Sequence, residues 1–135
     1  MKEYFFEIAS DTKNIHKVED HIREVIDNLP LSEDVINSIM IAVTEAVNNA
    51  IIHGNKSDKN KHVNIHSIVF DDVLEIRIKD EGQGFILSNI PNPLLPENLT
   101  KDSGRGIFII RSLVDGFKIN SMTDGTEVVL DIKIK

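Results

Sequence analysis

The chain has 135 residues and contains no cysteine, which excludes disulfides, thiolate catalysis and cysteine-ligated zinc. Positive charge is also scarce, because 15 Lys and Arg residues against 22 Asp and Glu residues give a net charge of −7. Nucleic-acid binding depends on many contacts between basic side chains and phosphates, so this balance argues against nucleic acid as the main partner. An anionic ligand must then be held by local donors or by a metal, because the protein as a whole offers no positive field.

Long apolar runs are missing as well. Residues 1–7 lack the apolar run of a signal peptide, and no stretch is predicted to span a bilayer. The length and a hydrophobic content of 41% are typical of one globular domain, which we expect to cover residues 1–135. The sequence therefore predicts a single cytoplasmic domain without membrane contact.

Hydrophobic periodicity predicts the element order β-α-α-β-β-lid-α-β-β. A strand is expected at residues 3–9, and a helix between Ser10 and Pro30. A second helix is expected to be capped by Ser32 and to run to about His53, with Gly54 just past its end. A polar loop at residues 55–61, strands at residues 62–70 and 73–80, a helix near residues 105–115 and two final strands are expected to follow. Residues 86–103 contain three prolines and are expected to form a long functional loop. The predicted fold class is α+β: a two-layer α/β sandwich with helices on one face of a mixed, mostly antiparallel sheet.

The second predicted helix has two used faces instead of one. A broad apolar stripe suits the core and contains Ile36, Ile39, Met40, Val43, Val47, Ala50 and Ile51. On a separate stripe, Glu45 and Asn49 lie one turn apart between Ile41 and Ile52. Asn49 could give its amide oxygen to Mg²⁺, and Glu45 could act as a general base. The alternative is an ordinary exposed Glu/Asn pair on a solvated helix face.

A second candidate segment, Asp80-Glu81-Gly82-Gln83-Gly84, follows a predicted strand. Glycine permits close backbone approach, so Gly82 and Gly84 would suit the wall of a site for a flat ring or a phosphate. The Asp80 carboxylate could accept a hydrogen bond from the exocyclic amine of adenine. The alternative is a tight turn without a ligand.

A third segment, Ser103-Gly104-Arg105-Gly106, is expected to open the next helix as a glycine turn. The free N–H groups at a helix start form an anion site, here directed at phosphates. Arg105, or Lys101 before it, could pair with a terminal phosphate, and the alternative is a loop hinge with a solvated arginine. The chain has no Gly-x₄-Gly-Lys-Ser/Thr motif, which excludes a P-loop.

Together, these segments resemble the GHKL (histidine kinase-like) ATPase superfamily, which has the Bergerat ATP-binding fold. Glu45-x-x-x-Asn49 is similar to its N box, and Asp80-x-Gly82-x-Gly84 is similar to its first glycine box. Gly104-x-Gly106 resembles the second glycine box, and Gly125-Thr126 resembles a final Gly-Thr element. Within the superfamily, the run from residue 45 to residue 54 is similar to the anti-sigma factor serine/threonine-protein kinases (SpoIIAB/RsbW-like).

The resemblance implies a homodimer that binds ATP with Mg²⁺, holds a sigma factor and phosphorylates a serine of an anti-anti-sigma (STAS-type) protein. By position, Glu45 would be the catalytic base, Asn49 the Mg²⁺ ligand and Asp80 the adenine-binding acid. The pocket, beneath an ATP lid at about residues 86–106, would be lined by Gly82, Gly84, Ser103, Gly104, Arg105, Gly106 and Thr126. The phosphate-contacting cation stays open among Lys101, Arg105 and Arg111. The alternative function is an ATP-dependent binding module that sequesters its partner without phosphotransfer.

Overall fold

The computed structural model describes residues 1–82 and 102–134, with the backbone alone at residues 102–105. In chain order the elements are β1 (Lys2–Ala9), a 3₁₀ turn (Thr12–Asn14), α1 (Ile15–Ile26), α2 (Glu33–Asn49), a π-helical turn (Ala50–Gly54), β2 (His62–Val69), β3 (Val73–Lys79), α3 (Asp102–Leu113), β4 (Gly116–Met122) and β5 (Gly125–Lys133). This order confirms the predicted succession of strands and helices. Most of the predicted lid lies outside the described residues, and its last part, from Asp102 onward, is helical instead.

The five strands form one sheet in the order β1-β2-β3-β5-β4. All four neighbouring pairs are antiparallel, so the expected mixed sheet is wrong for the described strands. The reason is the hairpin of β4 and β5: its second strand, not its first, pairs with β3. With β5 between β3 and β4, each of these neighbouring strands runs opposite to the next.

The core lies between the inner face of this sheet and the helices. The apolar stripe contributes Ile39, Val43 and Val47 from α2 and Ile51 from the π-helical turn, each with at most 2% of its surface exposed. They belong to one apolar cluster with strand residues that include Ile65, Ile76 and Leu130. Each fully buried aliphatic side chain of this size contributes about 1.5–3 kcal/mol. The predicted α+β class, with helices covering one face of the sheet, is confirmed.

Helix α2 begins as predicted, because the Ser32 hydroxyl accepts a hydrogen bond from the Val35 N–H at 3.2 Å. With the π-helical turn, the helical segment Glu33–Gly54 is long and apolar enough to cross a membrane by length and composition. The expectation that no stretch could do so is therefore wrong on that criterion. The place of the apolar stripe in the core accounts for the apolarity of this helix.

The C-terminal end of α2 differs from the prediction. The α-helix ends at Asn49 and continues as the π-helical turn, so Gly54 is the last helical residue instead of the residue past the end. The left-handed backbone conformation falls on Lys56 (φ 54°) and Ser57 (φ 58°). Short π-helical segments frequently occur at functional sites, because they change which side chains point inward.

On the inner face of the sheet, the ring of His21 in α1 stacks on Phe6 of β1 with ring centroids 4.5 Å apart. Its Nε2 is buried and has no hydrogen-bond partner among the described residues. Burial lowers the pKa of His21, because the protonated ring would lose hydration, and the nearby Glu24 carboxylate partly opposes this shift.

Replacing His21 with Phe should remove one pH dependence of folding. Because the unfolded chain binds the proton more tightly than the folded chain, the contribution of His21 to the free energy of unfolding falls as the pH drops below about 6.5. The His21→Phe variant keeps an aromatic ring on Phe6 without this titration, so its stability relative to wild type should rise as the pH falls. Urea unfolding between about pH 7 and pH 5 measures the difference. His16→Asn, at an exposed position of α1, is the control, and parallel curves for wild type and His21→Phe would contradict the prediction.

Candidate active site

A pocket of about 280 Å³ lies between the C-terminal part of α2 and helix α3. It is lined by Glu45, Asn48, Asn49, Ile52, His53, Gly106 and Ile109. The predicted acid and amide, Glu45 and Asn49, are half-buried and share this one concave surface. Ile41 and Ile52, which flank them along the helix, are 49% and 40% exposed. The second stripe of α2 is therefore a half-apolar pocket wall and not part of the core.

Gly106 brings the third predicted segment against the first. A Cβ atom at this position would lie 2.9 Å from Asn49 Nδ2 and 3.4 Å from Glu45 Oε2. Glycine therefore allows α3 to pack this closely on the polar pair without displacing the Asn49 amide. The expectation of a glycine turn before the helix is wrong, because α3 already begins at Asp102. At this position glycine serves the close contact between two helices and not the backbone conformation of a turn.

Ser103, Gly104 and Arg105 lie in the first turn of α3. The first four N–H groups of a helix have no partner within the helix, so this end still suits an anion. Of the three candidate cations, Arg111 has its guanidinium 6.0 Å from the centroid of the Phe117 ring and does not line the pocket. Lys101 lies outside the described residues. The identity of the phosphate-contacting cation remains a prediction between Lys101 and Arg105.

Asp80, directly after β3, is buried and its carboxylate is held by the backbone of two segments. Its Oδ1 accepts hydrogen bonds from the Gly82 N–H at 2.9 Å and from the Thr126 N–H at 3.0 Å. The Asp80 N–H in turn donates to the Thr126 carbonyl at 2.9 Å. Oδ1 is therefore committed to the backbone, and Thr126, a predicted site residue, is placed beside the acid.

The other carboxylate oxygen, Oδ2, faces Gly54. A Cβ atom on Gly54 would overlap Asp80 Oδ2, and one on Gly82 would overlap the Gly54 carbonyl oxygen. The end of the π-helical turn therefore packs directly on the acid. His53, one residue earlier, lines the pocket. Asp80 itself is not among the residues that line the pocket. The pocket and the surroundings of Asp80 are instead connected through residues 53 and 54. Gly84 lies outside the described residues.

Sequence reasoning missed several residues of this region. Asn48 and His53 follow Glu45 and Asn49 by three and four residues, so helical spacing places them on the same face and could have identified them. Asn55, expected in a polar loop, is instead completely buried. No local pattern marks Asn55, because its burial depends on elements that are distant in the sequence.

The oxygen atoms of the pocket suit a magnesium–nucleotide complex. Among residues 1–82 and 102–134, no group of three or more His, Cys, Asp or Glu side chains could hold a metal alone. Mg²⁺, however, usually takes only one or two protein oxygens when phosphates supply further ligands. The Asn49 amide beside the Glu45 carboxylate would suit a metal of this kind.

Residues 8–132 match the family described as the histidine kinase-like ATPase domain. The chain belongs to this family. It is 31% identical over 103 residues to the serine-protein kinase RsbW of Oceanobacillus iheyensis, covering 72% of this chain and 65% of that protein. It is 38% identical over 102 residues to the anti-sigma F factor of Geobacillus sp. (strain WCH70), covering 72% of this chain and 68% of that protein. The chain thus spans about two thirds of the length of these relatives.

Solved structures agree on the fold of this histidine kinase-like ATPase domain. The RsbU and RsbW domains of a Mycobacterium tuberculosis protein superpose with a TM-score of 0.73 at 18% identity, over 99% of this chain and 33% of that chain. The histidine kinase domain of a blue-light activated kinase from Erythrobacter litoralis gives a TM-score of 0.62 at 18% identity, over 94% of this chain and 62% of that chain. The fold expected from the resemblance is confirmed.

Replacing Gly106 with Ala should separate nucleotide affinity from stability. Alanine is favoured over glycine in a helix by about 1 kcal/mol, which offsets the crowding, so the free energy of unfolding should change by less than about 1 kcal/mol. The new methyl group must displace the Asn49 amide, and a loss of about 1.4 kcal/mol would raise the Kd of ATP·Mg²⁺ about tenfold. Calorimetric titration and urea unfolding measure both quantities, with Ser112→Ala on the exposed side of α3 as the control. An unchanged Kd would contradict the prediction.

Proposed function

We propose that this chain is an anti-sigma factor and protein-serine kinase, which transfers the γ-phosphoryl group of ATP to a serine of an anti-anti-sigma (STAS-type) partner. The observation that carries the proposal is the arrangement of the pocket between α2 and α3. The Glu45 carboxylate and the Asn49 amide line it together, and Gly106 packs against both. The proposed base and the proposed metal ligand would thus share one small cavity near the start of α3.

The bound nucleotide would extend from this pocket towards Asp80. Asn49 would hold Mg²⁺ through its amide oxygen, and the bound metal would neutralise part of the phosphate charge. The N-terminus of α3, with Ser103, Gly104 and Arg105, would face the phosphates. Asp80 would accept a hydrogen bond from the exocyclic amine of adenine through Oδ2, since Oδ1 already accepts two backbone N–H groups. Gly82 and Thr126 would keep this acid in place.

The position of Glu45 favours chemistry over binding alone. A carboxylate about 4 Å from one phosphate charge is repelled by roughly 4 kcal/mol at an effective dielectric constant of about 20. Such a residue makes sense in a nucleotide site only if a metal screens the repulsion or the residue has a chemical task. In the proposed reaction the serine oxygen bonds to the γ-phosphorus, the bond from that phosphorus to the β,γ-bridging oxygen breaks, and ADP leaves. Glu45 takes the proton of the serine hydroxyl as this bond forms.

The proposed partners follow from the relatives and from the charge of the chain. Proteins named serine-protein kinase RsbW and anti-sigma F factor are 31% and 38% identical to this chain. We therefore propose partner switching between a sigma factor and a STAS-type protein, by a homodimer in the cytoplasm without direct contact to nucleic acid or membrane. The net charge of −7 supports the exclusion of nucleic acid.

Replacing Glu45 with Ala should abolish phosphotransfer while nucleotide binding survives. The variant lacks the proposed base, so the rate of transfer should fall at least about a hundredfold. The Kd of ATP·Mg²⁺ should stay the same or decrease, because a repulsive charge is removed. The measurement is the transfer of label from γ-labelled ATP to a STAS-type protein encoded in the same genome, together with calorimetric titration.

Glu33→Ala is the matched control for this experiment. It removes the same side chain from an exposed position in the first turn of α2, outside the pocket, and should transfer label at the wild-type rate. Binding of ATP by the wild type without any transfer would contradict the kinase proposal and favour the sequestering module. The absence of any thermal stabilisation by ATP·Mg²⁺ would contradict nucleotide binding itself.

Replacing Asp80 with Asn should reverse the preference for the base. Asn can keep both backbone bonds at Oδ1, but it would present an N–H donor where Oδ2 would accept the hydrogen bond from adenine. Adenine carries a donor at this edge and guanine an acceptor, so the ratio of the ATP and GTP affinities should fall by on the order of a hundredfold. Competition titrations with both nucleotides give the ratio. Asp124→Asn, in the exposed turn between β4 and β5, is the control, and an unchanged ratio for Asp80→Asn would remove Asp80 from the base site.

A further inference from the structure

Asn55 closes a ring of three hydrogen bonds beneath the proposed nucleotide site. Its Nδ2 donates to the His62 carbonyl at 3.0 Å, and the His62 N–H donates to Glu81 Oε2 at 3.1 Å. The Glu81 N–H completes the ring by donating to Asn55 Oδ1 at 2.7 Å. One completely buried amide therefore ties the end of the π-helical turn to the start of β2 and to the residue directly after Asp80.

A fourth hydrogen bond connects Asn55 to the residue directly after β1. Its Nδ2 also donates to the Ser10 hydroxyl at 2.7 Å, and that hydroxyl donates to the Lys61 carbonyl at 2.7 Å. Asn55 thus has two roles that can be separated: its donor side binds Ser10 and His62, while its acceptor side binds Glu81. A buried amide with both sides satisfied orders the segments around it.

The backbone around Asn55 adopts a conformation that needs such support. The Asn55 N–H donates to the Ala50 carbonyl at 2.8 Å, five residues back, and the next two residues, Lys56 and Ser57, have φ values of 54° and 58°. Side chains other than glycine rarely adopt this left-handed region, and such strain persists only where the surroundings hold it. Gly54 packs directly on Asp80. The contacts that keep this turn in its conformation therefore also keep Gly54 against the Asp80 carboxylate.

We infer that Asn55 is a positioning residue for recognition of the nucleotide base, acting through the Glu81 N–H on the orientation of Asp80. The inference rests on the proposed function, since it requires Asp80 to contact the base. The Glu81–Gly82 peptide segment has two anchors: its first N–H on Asn55 and its second on Asp80 Oδ1. Without the hydrogen bond from the Glu81 N–H to Asn55, the Glu81–Gly82 segment can rotate. The Asp80 carboxylate then turns away from the direction in which it would bond to the base. Asn55 does not line the pocket and touches no reacting atom.

A purely stabilising role for Asn55 predicts a different result from a positioning role. Loss of stability lowers the fraction of competent protein, and this raises the apparent Kd of every nucleotide by the same factor. The ratio of the ATP and GTP affinities is therefore independent of the folded fraction. A change in the ratio requires that the site itself has changed.

The test is the ratio of the ATP and GTP affinities in Asn55→Ala and in Ser10→Ala. Asn55→Ala removes the anchor on Glu81, and the loss of one hydrogen bond to the base should lower the ratio about tenfold. Ser10→Ala is the matched control, since it removes a buried hydrogen bond of the same network on the side away from Asp80. It should lower the stability and leave the ratio at the wild-type value.

The variant Asn55→Asp provides a second, independent test of the same inference. The carboxylate keeps an acceptor for the Glu81 N–H but cannot donate to Ser10 and His62, so the variant should be less stable and yet keep a ratio close to wild type. An unchanged ratio in Asn55→Ala would overturn the positioning role, as would an equal fall in Asn55→Asp and Asn55→Ala. Wild-type protein that binds no ATP would overturn the proposed function together with this inference. Normal wild-type discrimination with an unaffected Asn55→Ala would overturn the inference alone.

Discussion

The contact between the π-helical turn that continues α2 and the Asp80 carboxylate is the constraint on which the site depends. Asp80 is 6% exposed and its Oδ1 accepts two backbone N–H groups, so the backbone sets the orientation of its carboxylate. Gly54 packs directly against its second oxygen, which sets the distance between the sheet and the π-helical turn that continues α2. Since Glu45 and Asn49 belong to the same helix, their positions relative to Asp80 follow from this one contact.

Helix α2 combines two tasks that usually fall to different elements. One face supplies the centre of the core, with residues such as Val43 and Val47 almost completely buried. The other face presents a carboxylate and an amide to the pocket. Side chains on a rigid, core-packed helix are held more accurately than side chains on a loop, which suits groups that must align with reacting atoms.

The features of this chain that suit an anionic ligand act over short distances. With a net charge of −7, it has no positive field that would attract a nucleotide. The features suited to replace this field are short-range: the first N–H groups of α3, which have no partner within the helix, the Asn49 amide oxygen in the pocket, and the glycine that lets α3 approach α2. Each works only at contact distance, so the binding site depends on accurate packing more than on composition.

Periodicity along the chain was enough to predict the element order, the fold class and the pairing of Glu45 with Asn49 on one helix face. These properties depend on spacing within a single element, which local backbone geometry determines. Three outcomes depended on contacts between distant segments: the glycine at position 106 serves helix packing, Gly54 ends a π-helical turn against Asp80, and Asn55 is buried. Local sequence contains no signal for them, because a side chain meets its partners only after the sheet and helices have packed. The sequence by itself therefore determined which groups are available for chemistry, and only the tertiary structure decided which of them lie together and what holds them in place.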